Sequence, residues 1–145
     1  MNILFIGKRF YTNRDALNEK YGRIHQLPWH WAKSGHPTSL WLVDYHTRDT
    51  VRTSEDALQI TSTPVRNLRV FWHWLSGNYR RSGPVDLVVA SGDCYIGCMG
   101  LCIAHRMHAR FALDVYDKYD EFGGYIRLPG FDLFNYLLTH ADVRL

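Results

Sequence analysis

Long hydrophobic runs are missing from this sequence. No segment approaches the ~20 consecutive apolar residues of a membrane-spanning helix, so no helical span is expected. The opening "MNILFIGKRF" has a short apolar core and no cleavage site, and does not read as a signal peptide. Cysteine is scarce. Cys94, Cys98 and Cys102 fall in one short stretch, too few and too close together for a disulfide framework, which favours a reducing, cytoplasmic compartment. Excess charge is also small: a net +3 permits an anionic ligand or membrane surface but is too weak to argue for nucleic acid. Neither GxGxxG nor HExxH occurs, which argues against a conventional dinucleotide site and against zinc-protease chemistry. No internal repeat, linker or low-complexity tract is evident.

What remains is ordinary globular material. The 145 residues are 46% apolar and 21% charged, suited to one ordered domain with its own hydrophobic core. Short apolar runs alternate with helical patterns. "NILFIG" (2–7) predicts a strand buried on both faces, and 8–20 a polar loop. In "YGRIHQLPWHWAKSGH", Ile24, Leu27 and Trp31 recur at helical spacing and a glycine closes the segment. Pro28 inside it predicts a kink or a later helix start. "SLWLVDY" and "LQITST" read as strands, with "TRDTVRTSEDA" as a loop between them. Thr63 as N-cap and Pro64 at the first helical position would then open a helix with Val65, Leu68, Trp72 and Leu75 on one face. "VDLVVAS" is a strand, Asp93 caps the following helix, "RFALDVY" is a strand, "FDLFNYLLTHA" a helix, and "DVRL" a last strand. This order predicts a doubly wound α/β domain: a mainly parallel sheet with helices on both faces. Ligands of such sheets gather at the carboxyl ends of the strands. The loop after Gly7, the Ser91–Asp93 turn and the acids after Val115 would share that rim.

Several constellations have competing meanings. Cys94, Cys98 and Cys102 lie four apart on a helix with His105, and read as a soft packing stripe near Gly97 and Gly100 rather than a metal site. His105 and His108 suit the negative pole of a helix end. Gly22 precedes a helix whose N-terminus would suit a phosphate, with Lys8, Arg9, Lys20 and Arg23 adding charge. Residues 66–81 mix arginines with Phe71, Trp72, Trp74 and Tyr79; either the aromatics pack on the sheet or the segment settles on an anionic membrane. Most conspicuous is "FALDVYDKYDEF" (111–122), where an apolar run turns into Asp114, Tyr116, Asp117, Tyr119, Asp120 and Glu121. Asp114, at a strand end, would need a partner. Asp117 is the best placed to meet a substrate, as hydrogen-bond acceptor or base; the alternative is a solvated acidic loop.

The order of these segments resembles the N-terminal domain of a GT-B glycosyltransferase, especially family 4. "NILFIG", "YGR" and "WAKSGHPTSLWLV" look like its first strand, glycine loop and helix ending in "arGH". "VDLVVASGD" is similar to its "DvvhaHs" strand, "FALDVYDKYDEF" to "lvlevrDlwPE", and "THADVRL" to "aDaviavS". The family's paired glycines appear here as Tyr21–Gly22. The resemblance implies a sugar moved from a nucleotide-sugar donor to an acceptor hydroxyl held by this domain. Asp117 would abstract a proton from the acceptor or, in a retaining enzyme, orient it. Gly22 and Arg23 would approach the donor diphosphate, and Ser91, Asp93, Tyr116 and Glu121 would bind substrate. No metal or cofactor is implied. The donor would need a second α/β domain not contained in these residues, so the fragment alone would be inactive. Two other readings stay open: a flavodoxin-like domain binding a phosphorylated small molecule, and a protein-interaction module docking through the arginine- and tryptophan-bearing helix.

Overall fold

The computed structural model describes residues 1–69, 72, 83–115, 125 and 129–145. In chain order the elements are β1 (Ile3–Lys8), β2 (Phe10–Tyr11), β3 (Arg14–Asp15), α1 (Gly22–Lys33), β4 (Thr38–Asp44), β5 (Val51–Glu55) and β6 (Leu58–Pro64). They continue with β7 (Leu87–Ser91), α2 (Cys94–Met107), β8 (Arg110–Asp114), α3 (Leu133–His140) and β9 (Val143–Arg144). Seven strands form one sheet in the order β5–β6–β4–β1–β7–β8–β9. All neighbours are parallel except β5, which runs antiparallel to β6.

Alternation along the strands builds a core on each face. Ile3 and Phe5 of β1, with Leu40, Leu42, Ile60 and Val89, pack against Ile24 and Ala32 of α1. Leu4 and Ile6, with Trp41, Val43, Val88, Ala90, Phe111 and Leu113, pack against α2 and α3. Helices therefore cover both faces, and the central strands are apolar on both sides for that reason. The strand order reverses between β1 and β7, and the carboxyl edge at such a point is where doubly wound sheets bind ligands.

α1 ends as the glycine in "KSGH" predicts. Gly35, at φ +86°, donates to Ala32 O and His36 donates to Trp31 O, the paired bonds of a Schellman motif. The helix does not start late on account of Pro28: it runs from Gly22 through that residue to Lys33. Asp93 caps α2, accepting from the Tyr95 and Ile96 backbone N–H groups, as the sequence indicates.

Four expectations need correction. The 8–20 stretch is not only a loop, because β2 and β3 pair as a small hairpin. Residues 47–57 carry β5, a strand whose polar side chains face solvent at the sheet edge. Thr63 and Pro64 end β6 instead of opening a helix: Thr63 is fully buried and its Oγ1 accepts from the Trp41 indole at 2.6 Å. Nor do Leu68 and Trp72 form part of a buried face, being 62% and 61% exposed. Leu75 lies outside the described residues.

The cysteine stripe is corrected as well. Cys94 is buried, Cys98 half-buried and Cys102 exposed, so the row rotates away from the sheet. His105 is exposed too. Cys94 shares the packing face with Ile96, Gly97, Gly100, Leu101, Ile103 and Ala104, and the tightest approaches are at the glycines. A Cβ on Gly100 would sit 2.7 Å from the Ala90 Cβ and 2.9 Å from Phe111; one on Gly97 would sit 2.7 Å from Leu137. Gly100→Val should therefore force α2 off β7 and lower stability by about 1–3 kcal/mol. Urea unfolding checks this; a midpoint equal to wild type would contradict the close helix–sheet approach. Among the described residues no helix is long and apolar enough to cross a membrane, and no group of three or more His, Cys, Asp or Glu side chains is gathered for a metal ion.

Candidate functional site

Register brings distant residues together at the carboxyl edge. Gly7 of β1 pairs with Ser91 of β7, and Ser91 pairs with Asp114 of β8. A Cβ on Gly7 would lie 2.5 Å from Ile24 Cγ2, so the missing side chain lets α1 approach the end of β1. Arg23, in the first turn of α1, then reaches across β1 and β7. Its Nη2 lies 2.8 Å from Asp114 Oδ1, while Ser91 Oγ donates to Asp114 Oδ2 at 2.8 Å. Asp114 and Ser91 are buried, whereas the Arg23 side chain is 43% exposed. Burial raises the Asp114 carboxyl above its ordinary value, opposed by the Ser91 hydrogen bond and the Arg23 charge.

Gly22 begins α1 at φ +73°, a left-handed backbone that favours glycine, with open space where a Cβ would be. Tyr21 supplies no side-chain cap and no acid occupies the first turn of the helix. A shallow depression here is lined by Tyr11, Arg14, Tyr21, Gly22 and Arg23. The Arg14 guanidinium sits over the Tyr21 ring and pairs with Glu19.

At the carboxyl end of β1, Lys8 Nζ lies 5.3 Å from the centre of the Tyr45 ring. Tyr45 donates a long, 3.5 Å hydrogen bond to Asp93 Oδ2. Burial, with the Asp93 carboxylate beside it, pushes the Tyr45 hydroxyl well above its usual range. Asp93 is thus already engaged through both oxygens, by α2 and by Tyr45.

Of the four cations expected to supply charge to a phosphate, three have carboxylate partners, and for Arg9 that expectation is corrected. Its side chain is 6% exposed and forks onto Asp15 at 3.0 and 2.9 Å, while Nη1 reaches Asp44 at 3.0 Å and Ser62 at 3.3 Å. Lys20 pairs with Glu55 at 2.9 Å, and Arg23 with Asp114. Glu55 also lies 3.2 Å from Nε2 of the buried His25, whose burial lowers its basicity against the pull of that carboxylate.

The predicted site residues Gly22, Arg23 and Ser91 therefore share one edge, with Asp93 on the next turn. Tyr116, Asp117 and Glu121 lie outside the described residues. Sequence reasoning assigned Asp114 no role beyond needing a partner, and missed the Arg9–Asp15–Asp44 network. The local signal was present in both cases: an acid closing an apolar strand in "FALD" and in "LWLVD".

A mostly parallel seven-stranded sheet, helices on both faces and polar groups at the carboxyl edge define a Rossmann-like α/β domain. A scan against protein-family models finds no match to the chain, and a search of curated proteins finds none either.

Proposed function

We propose that this chain is the acceptor-side domain of a GT-B glycosyltransferase, moving a sugar from a nucleotide-sugar donor to an acceptor hydroxyl. The observation that carries the reading is the meeting of Arg23, Ser91 and Asp114 at the point where the strand order reverses. That is where doubly wound sheets hold their ligands. Gly22 and Arg23 face the donor diphosphate in this reading. Asp117, three residues beyond Asp114 in sequence, meets the acceptor hydroxyl. The donor nucleotide is held by a second α/β domain, and backbone dipoles with basic side chains stabilise the leaving diphosphate. The exposed Leu68 and Trp72, beside Arg66 and Arg69, support a peripheral membrane contact through 66–81 in the same reading.

The test is donor turnover by the protein in its full natural length. Nucleoside diphosphate release is followed with uridine-, guanosine- and adenosine-diphosphate sugars, with and without hydroxylated acceptors. One donor should be consumed in an acceptor-dependent manner. Asp117→Asn should then lower turnover at least about 100-fold, with the unfolding curve unchanged. Turnover retained in that variant would remove Asp117 from the chemistry. Failure of every donor would favour the second reading, a binding domain for a phosphorylated small molecule, which the same exposed Arg23 supports.

A further inference from the structure

Among the described residues, two arginines meet a buried carboxylate, and the two arrangements are built differently. Arg9 is enclosed, 6% exposed at its side chain, and spends its guanidinium on Asp15, Asp44 and Ser62. It holds structure together and offers nothing outward. Arg23 touches its carboxylate through Nη2 at 2.8 Å and leaves 43% of its side chain in solvent. The carboxylate is the enclosed member of that pair. Asp114 is 0% exposed, and its second oxygen is held by Ser91, itself 1% exposed, at 2.8 Å.

We propose that Asp114 is a positioning residue, with Ser91 fixing its carboxylate, and that it holds the Arg23 guanidinium at the carboxyl edge of the sheet, where the strand order reverses, to receive a phosphate group of the ligand. A guanidinium carries five N–H donors in one rigid plane. An ion pair at one nitrogen restricts where the guanidinium can lie and leaves its other N–H groups for an anion, and the planar fork matches two phosphate oxygens. A flexible arginine would lose side-chain freedom on meeting the anion; a tethered one has already lost part of it. A carboxylate that needed only neutralising would be served by an enclosed partner such as Arg9. Here the partner reaches over two strands from another helix and stays wet. The proposal deepens the reading of this edge as a ligand site, and rests on that reading.

Inorganic diphosphate is the probe, its binding to the full-length protein measured by calorimetry. Arg23→Ala should weaken binding by about tenfold or more, and Asp114→Asn by about five- to tenfold. Arg23→Lys should fall between wild type and Arg23→Ala, because charge is kept and the fork lost. The decisive comparison is the double variant. If Asp114 acts through Arg23, Asp114→Asn adds no further loss in the Arg23→Ala background. An equal, additive loss there would show a general effect on the fold and overturn the proposal, as would unchanged affinity in either single variant. Should Asp114→Asn fail to fold, Ser91→Ala replaces it in the same cycle, with an expected weakening of about threefold that vanishes beside Arg23→Ala. Absence of diphosphate binding by wild type would also overturn it. Arg23-dependent binding without sugar transfer would sink the transferase reading alone; sugar transfer with diphosphate affinity indifferent to Arg23 and Asp114 would sink this one alone.

Discussion

Arg9→Met should be among the most damaging single changes in the protein, lowering stability by about 3–5 kcal/mol in urea unfolding at neutral pH. Methionine fills much of the same space, so the loss comes from what is left behind. Asp15 and Asp44 would stay buried with their shared cation gone. Burial alone would raise both carboxyls; hydrogen bonds from Arg9 and the Leu17 backbone at Asp15, and from Thr47 and His46 at Asp44, hold them below the ordinary value. The sign of the pH effect follows. Their lowered folded-state values contribute stability that is complete above the unfolded carboxylate range, near 3.9, and is lost as pH falls through the folded values. Without Arg9 that contribution shrinks or reverses. The gap between wild type and Arg9→Met should be widest at neutral pH and close on acidification. A gap below about 1 kcal/mol, or one that stays undiminished well below the ordinary carboxylate range, down to about pH 2, would show that the cluster is not a coupled buried network.

Trp41→Ala should cost a similar amount, about 3–5 kcal/mol. Trp41 is 1% exposed within the core under α2, and its truncation opens a cavity between β4 and the helical layer. A companion change separates volume from hydrogen bonding. Thr63→Val keeps the shape but takes away the acceptor of the indole N–H, and should cost about 1–3 kcal/mol. Equal losses from Trp41→Ala and Thr63→Val would mean that packing at this position matters little beside the hydrogen bond.

Thr63 also shows where sequence reasoning reached its limit. Thr-Pro is sound helix-opening chemistry, and locally nothing contradicted it. The competing demand came from Trp41, far away in sequence, whose buried N–H needed an acceptor on the neighbouring strand. Pairing with β4 extends β6 to Pro64, and the tertiary bond overrides the local cap. β5 was hidden for a related reason: in "VRTSE" only Val51 packs against the core, and the rest of an edge strand needs no apolar face. The central strands were legible because burial on both faces leaves an uninterrupted apolar run. Asp93 and Gly35 were legible because capping is local chemistry. At the edge site, Gly22 and Ser91 follow from the order of strands. The Arg23–Asp114 contact spans two intervening strands, and no spacing along the chain encodes it.

The polar character of β5 bears on how this protein behaves when crowded with its own kind. Arg52, Thr53 and Ser54 are exposed along the outermost strand, and its antiparallel direction turns that flank into the rim of a hairpin. A neighbouring molecule seeking a flat, greasy template for intermolecular β pairing finds charge and hydroxyls instead. The long side of the sheet is thereby guarded against fibrillar stacking by the same residues whose lack of hydrophobicity concealed the strand.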